Sequence, residues 1–334
     1  MPDRLSTRRK LQFAGNSSYV LTLPKKWIVN QKLDSKNSEV QIEELADSTL
    51  RISPSDLGES SVEYETYQIM VSEDSNPEEI VRMLLGAYLA SYNQIEVKGK
   101  DNHIPLKISL EVEDIIGKLW GSEITAQTNS EIKIQDALDP SSMGIKDCID
   151  KAWFTAQNML KTAFEAIFSE DEESRKIVLN SENTLDKLYY LALRQLYKAS
   201  SNYIFASDIG IKPKDIIDYH LLAKDIERIG DHCVNLVSSF GKKFENIDQL
   251  KVLADRVIEA TDTAIDAFTK LDPEEAQLAI SLKKEIINLA DGIEFTYNEY
   301  PIARSILRMA DYSADIGELV INRKVALESM KDDY

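Results

Sequence analysis

Apolar residues in the C-terminal part of the chain recur every three or four positions, the period of a helix with one buried face. Leu250, Leu253, Val257, Ala260, Ala264, Phe268 and Leu271 form one such stripe, and Leu222, Ile226, Ile229, Cys233 and Leu236 form another. Breakers separate the stripes. Gly210-Ile211-Lys212-Pro213 and Tyr300-Pro301 end hairpins, while Asp272-Pro273-Glu274-Glu275 supplies an N-cap, a first-turn proline and first-turn acids. The pattern predicts helices over about 143–168, 172–206, 214–241, 248–270, 274–298 and 302–330. Short antiparallel connections group them into two three-helix units in tandem, residues 140–242 and 246–334.

Upstream the period changes. In residues 62–138, Thr66-Tyr67-Gln68-Ile69-Met70-Val71 is strand-like, and Asn76-Pro77-Glu78-Glu79 starts a helix that runs through Ser91. Ile95-Glu96-Val97 is a strand, a helix follows from about Pro105 to Trp120, and strands lie around Ile124 and Ile132-Lys133-Ile134. This β-α-β-α-β-β order predicts a small α+β domain with its helices on one sheet face. Residues 1–56 read as short strands and turns: Val20-Leu21-Thr22-Leu23, Val40-Gln41-Ile42 and Leu50-Arg51-Ile52, with a helical turn at Lys25-Lys26-Trp27-Ile28-Val29 beside Pro24. A module of that size buries little on its own and gains from pairing with a second copy. The expected fold is therefore multi-domain and mainly α.

Composition narrows the class. A chain of 334 residues that is 43% hydrophobic and 29% charged is ordinary for a globular protein, and no apolar run approaches the length of a membrane span. The opening residues Met1-Pro2-Asp3-Arg4-Leu5-Ser6 lack an apolar signal core, so export is not expected. Cys148 and Cys233 are far apart and fall on apolar faces, which suits buried thiols in a reducing cytoplasm. The net charge of −18 is uneven: residues 1–35 carry +5, leaving −23 on the rest. A basic front and an acidic body call for different partners, with nucleic acid open only to the front.

The acidic body holds the candidate chemistry. Glu227 and Asp231 stand four residues apart on one helix face, with Gly230 between them. Like charges at that spacing destabilise a helix by roughly 0.2–0.5 kcal/mol, and a mid-helix glycine costs about 1 kcal/mol against alanine. Both penalties ask for compensation, which close packing of a neighbouring helix over Gly230, with a cation between the carboxylates, would supply. Glu182 and Asp186 repeat the spacing on the preceding helix, and a reversal near residue 210 brings the two pairs side by side. Four carboxylates suit a hard or borderline divalent or trivalent metal ion such as iron, manganese, zinc or magnesium. The segment Ile226 to Leu236 recurs, with changes, 80 residues later at Ile306 to Ile316. There Leu307 replaces the glutamate, so Asp311 and Asp315, with Glu285 expected opposite Asp315, form a weaker second site.

Two family resemblances follow from these residues. The Leu23-Pro24-Lys25-Lys26-Trp27 step between short strands resembles the AbrB/SpoVT swapped-hairpin domain, with Lys36-Asn37-Ser38 where that family usually has Gly-Asp. The resemblance implies a homodimer with interleaved strands and makes Arg8, Arg9, Lys10, Lys25 and Lys26 candidates for DNA contact. Residues 140–334 resemble the PhoU family, whose third helices carry a Leu-Glu-Arg-Ile-Gly-Asp type motif; Ile226 to Asp231 match it closely and Ile306 to Asp311 in part. That resemblance implies a multinuclear metal site at Glu182, Asp186, Glu227 and Asp231, and a role in restraining phosphate uptake or its signalling. The combination is similar to archaeal phosphate-uptake regulators.

An enzyme is not expected. The Glu-x-x-His pair of carboxylate-bridged iron enzymes is missing, since Lys100, Ile217 and Ile229 precede His103, His220 and His232 by three positions. No P-loop, G-x-S-x-G or Cys/His arrangement is present. The expected role is a cytoplasmic, non-enzymatic regulator of phosphate homeostasis. Its expected partners are phosphate ABC transporter components or a phosphate-responsive signalling protein. The alternative is an AbrB-like transcription regulator of phosphate genes.

Overall fold

The computed structural model describes residues 8–15, 18–33, 38–44, 49–55, 66–136 and 140–329. The chain divides into two compact units, residues 1–63 and 64–334. In the first unit β1 (Gln12–Ala14) pairs antiparallel with β2 (Ser18–Val20), α1 spans Lys25–Asn30, and β3 (Val40–Glu44) pairs antiparallel with β4 (Leu50–Pro54). Lys36 and Asn37 of the expected turn lie outside the described residues. Pro24 supplies the extended residue just before α1. None of the described residues of this unit is buried.

The second unit begins with a four-stranded sheet in the order β5-β6-β8-β7, built from β5 (Thr66–Val71), β6 (Gln94–Gly99), β7 (Ser122–Gln127) and β8 (Glu131–Asp136). β5 runs parallel to β6 because α2 (Pro77–Leu89) crosses between them; the other pairings are antiparallel. Alternation puts Ile69, Val71, Ile132 and Ile134 into one core with Leu84 and Tyr88 of α2 and Ile108 and Val112 of α3 (Leu106–Gly117). Asn76 caps α2, its Oδ1 accepting from Glu78 N at 3.0 Å.

The rest is helical: α4 (Ile145–Ser169), α5 (Glu172–Ser201), α6 (Tyr203–Asp208), α7 (Ile216–Val237), α8 (Ile247–Lys270), α9 (Pro273–Asp291) and α10 (Tyr300–Ser329). Two expected boundaries move. The helix predicted over 172–206 breaks at Asn202, whose backbone is extended and whose Oδ1 caps α6 by accepting from Phe205 N at 3.1 Å. The helix predicted over 274–298 stops at Asp291, and residues 292–299 form a connector. α4, α5 and α7 pack as one trio and α8, α9 and α10 as another, and α7 meets α10 so that both trios share one continuous core. Gly317 allows a close approach of α10 to α9. A Cβ there would sit 2.8 Å from the Ala276 carbonyl oxygen and 3.1 Å from Ile280 Cγ1, so α10 presses directly on the α9 backbone.

The α+β domain is docked on this bundle through α5. Arg194, 2% exposed, forms an ion pair with Asp136 at the end of β8, and its guanidinium lies 4.4 Å from the Tyr88 ring centroid. The Tyr88 hydroxyl donates to the Trp120 carbonyl at 3.1 Å. Tyr190 of α5 packs against the sheet–helix core.

Candidate functional site

α5 and α7 run antiparallel, and Gly230 is where they touch. A Cβ on Gly230 would overlap the Leu185 side chain, so the glycine lets α5 lie close against α7. Leu185 lies between Glu182 and Asp186, so this contact also sets the register of the two acidic pairs.

The carboxylates are brought within electrostatic reach of one another. Asp231 is pushed up to about 6, first by desolvation and then by Glu227, Asp186 and Glu182, with Lys224 opposing. Desolvation and the neighbouring Asp186 raise Glu182 above the usual carboxylate range, and desolvation raises Asp186 against the pull of Lys118. Tyr189 and Tyr190 rise to about 12, mainly by desolvation and then by the acids beside them.

Two lysines already sit among these acids. Lys224 Nζ lies 2.7 Å from Glu227 Oε2, and Lys118 Nζ, from the end of α3, lies 3.6 Å from Asp186 Oδ2. Lys224 also stands 5.0 Å from the Tyr189 ring centroid. Among the described residues, no group of three or more His, Cys, Asp or Glu side chains is arranged to hold a metal ion. As placed, Glu182, Asp186, Glu227 and Asp231 form an acidic patch compensated by ammonium groups, which does not fit the ligand shell expected for iron, zinc, manganese or magnesium. Lys118 was invisible to sequence reasoning because it belongs to a different domain, 68 positions before Asp186.

The expected second site is not assembled. Glu285 pairs with Arg256 of α8 at 3.0 Å, while Asp311 takes Lys283 Nζ at 2.9 Å and Arg308 Nη1 at 3.2 Å. Residues 283 and 285 project from opposite sides of α9, so when Lys283 faces α10, Glu285 cannot. The connector at 292–299 is the physical reason: it shifts the α9–α10 register from the one expected for a tight turn at Pro301. Asp315 instead lies near Asp225 of α7, whose carboxyl is pushed up to about 6 by burial and then by Asp315. In the first unit Arg8, Arg9, Lys10, Lys25 and Lys26 are all exposed.

Residues 149–239 match the PhoU domain. The matched segment runs from the first turns of α4 through α7 and holds all four carboxylates of the acidic patch. The chain is also similar to the crystal structure of PhoU from Pseudomonas aeruginosa, at 14% identity and a TM-score of 0.42, over 53% of this chain and 93% of that one. No curated protein matches the chain. Around the PhoU-matching helices, Cys148 and Cys233 are buried, and burial pushes both thiols well above their ordinary range. No helix among the described residues is long and apolar enough to cross a membrane.

The acidic patch carries a stability signature. Asp231 titrates higher in the fold than in the unfolded chain, so its contribution is fully present below the unfolded value near 3.8 and is lost as pH rises through about 6. Asp231→Asn is expected to raise the melting temperature at pH 8 and to change it little at pH 4. Equal shifts at both pH values would show that the fold does not raise the Asp231 carboxyl.

Proposed function

We propose that this chain is a non-enzymatic, PhoU-like regulator that restrains phosphate uptake and supports intracellular phosphate homeostasis. The observation that carries the reading is the PhoU domain match over 149–239, which coincides with the acidic face of α5 and α7. A desolvated cluster of like charges costs stability, and a cost at one surface locus is the usual mark of a site kept for binding. The partner of that face would be a phosphate transporter component or a phosphate-responsive signalling protein. Metal loading of the patch would require Lys118 and Lys224 to move off Asp186 and Glu227.

The proposed assembly is a homodimer joined through residues 8–55. In support, Leu11, Phe13, Tyr19, Ile42 and Leu50 are each more than 60% exposed in a unit with no buried residue among those described. Side chains of that kind gain by being covered by a second copy. The exposed basic residues at the start of β1 and α1 favour DNA contact as the second reading.

Deletion of the chain in its host, followed by radiolabelled phosphate uptake at high external phosphate, tests the regulator. Uptake should rise, and the full chain should restore restraint where Glu227→Gln/Asp231→Asn does not. Unchanged uptake would sink the proposal. Binding to a promoter fragment that weakens steeply with salt, and is lost in Arg8→Gln/Arg9→Gln/Lys10→Gln, would move the reading to transcription.

A further inference from the structure

The two copies of the sequence repeat meet face to face where α7 crosses α10. Arg228 and His232 come from the first copy; Arg308 and Tyr312, 80 positions later, are their counterparts in the second. The Arg228 guanidinium lies 5.5 Å and the Arg308 guanidinium 5.2 Å from the centroid of the same Tyr312 ring. Arg308 Nη2 donates to the Tyr312 hydroxyl at 3.3 Å. The His232 ring lies 5.9 Å from that of Tyr312, and its Nδ1 is 3.2 Å from Ser305 Oγ. Arg304 stands one turn before Arg308 on the same face of α10, exposed and without an ion pair among the described residues. Two guanidinium groups thus share one aromatic ring, with Arg304 one turn further along α10, in a chain whose net charge is −18.

The acids nearby neutralise them only in part. Asp311 is 3.2 Å from Arg308 but is shared with Lys283 of α9 at 2.9 Å. Asp225 is 3.4 Å from Arg228, yet burial and then the neighbouring Asp315 oppose its ionisation. His232, which packs beside Tyr312, is held below its ordinary range by desolvation and then by Arg308 and Arg304.

We propose that Arg228 and Arg308, with Arg304 one turn away at the edge, form a binding site for a tetrahedral oxyanion, inorganic phosphate, in the seam between α7 and α10 beside Tyr312. Guanidinium groups present paired N–H donors matched to phosphate oxygens, and these charge-assisted bonds are the strong ones. Tyr312 and the His232–Ser305 pair set the floor. The anion chemistry stands on this geometry; the choice of phosphate among oxyanions rests on the regulatory reading above. Because the seam joins the two helical trios, an anion bound there would tie α7 to α10 and report its presence to both.

Calorimetric titration of the full chain with phosphate, and with sulfate for comparison, tests the site. Phosphate should bind saturably, and Arg228→Gln/Arg308→Gln should weaken it about ten- to a hundredfold. Arg256→Gln, the loss of a single guanidinium on α8, should leave it unchanged. Proton NMR of His232, assigned with His232→Asn, adds a local readout: phosphate neutralises the guanidiniums, so the His232 pKa should rise. No saturable binding at millimolar phosphate by the folded chain would overturn the site. So would an equal loss in Arg256→Gln, an unmoved His232 titration, or tighter binding of sulfate than phosphate. A deletion strain with altered uptake whose purified protein binds no phosphate sinks this site alone; binding without an uptake phenotype sinks the regulatory reading.

Discussion

Arg194→Ala is expected to cost about 3–5 kcal/mol and to loosen the α+β domain from the helices. The guanidinium is almost wholly buried, pairs with Asp136 and stacks on Tyr88, so it ties α5 to β8 and α2. Removing one member leaves the Asp136 carboxylate, only 9% exposed, without its cation, and that stranded charge dominates the cost. Tyr88, pushed up to about 12 chiefly by burial, stays a neutral phenol and cannot compensate. Arg194→Met/Asp136→Leu should recover most of the loss, because a well-packed apolar pair avoids desolvating two charges. Urea unfolding and limited proteolysis between residues 136 and 145 measure both effects. A single-variant loss below about 1 kcal/mol would mean that the apolar packing and the Lys118–Asp186 pair hold the domain without it.

Glu299→Gln is the second large change, and its sign depends on pH. Glu299 is fully buried at the end of the α9–α10 connector and accepts from Asn246 N at 2.6 Å, Asn246 Nδ2 at 2.8 Å and Thr296 N at 2.9 Å. Burial alone would raise its pKa, but these donors outweigh it and hold the carboxyl at about 2, against an ordinary value of 4.5. The folded value is depressed, so the stabilisation is present above pH 4.5 and is lost as pH falls from there through about 2. A shift of that size corresponds to roughly 3 kcal/mol. Glutamine brings an NH₂ group against donors and removes the charge that strengthens them, at a cost of about 2–3 kcal/mol near neutrality. Melting temperatures of the two proteins should therefore differ widely at pH 7 and converge near pH 2. A constant gap across that range would rule out the carboxylate as the stabilising species.

Much of the architecture was legible because helices and strands record their own period. The α8 stripe from Leu250 to Phe268 is buried along one face, and all six elements between Thr66 and Asp136 occur in the expected order. Capping was legible for the same local reason: Asp272 Oδ1 accepts from Glu274 N at 2.9 Å, two positions away. The break at Asn202 had such a signal too, an N-cap side chain before Phe205, but the helical spacing of Leu196, Ala199 and Phe205 across it masked it. Glu285 failed differently. Its partner depends on how many residues the connector consumes before α10 begins, and no local pattern states that.

The acidic patch shows where the boundary falls. Spacing alone put Glu227 and Asp231 on one face, and the chemistry of Gly230 asked for a close neighbour, both consequences of helix geometry and backbone energetics within a few residues. Which cation answers those charges was decided by tertiary structure. Docking of the α+β domain swings Lys118 onto Asp186, and the crossing of α7 with α10 brings Arg228 and Arg308, 80 residues apart, to the same Tyr312 ring. Sequence specified the periodic and capped elements because those interactions are short-range along the chain. Electrostatic partnerships depend on distance through space, so only the packed chain could assign them.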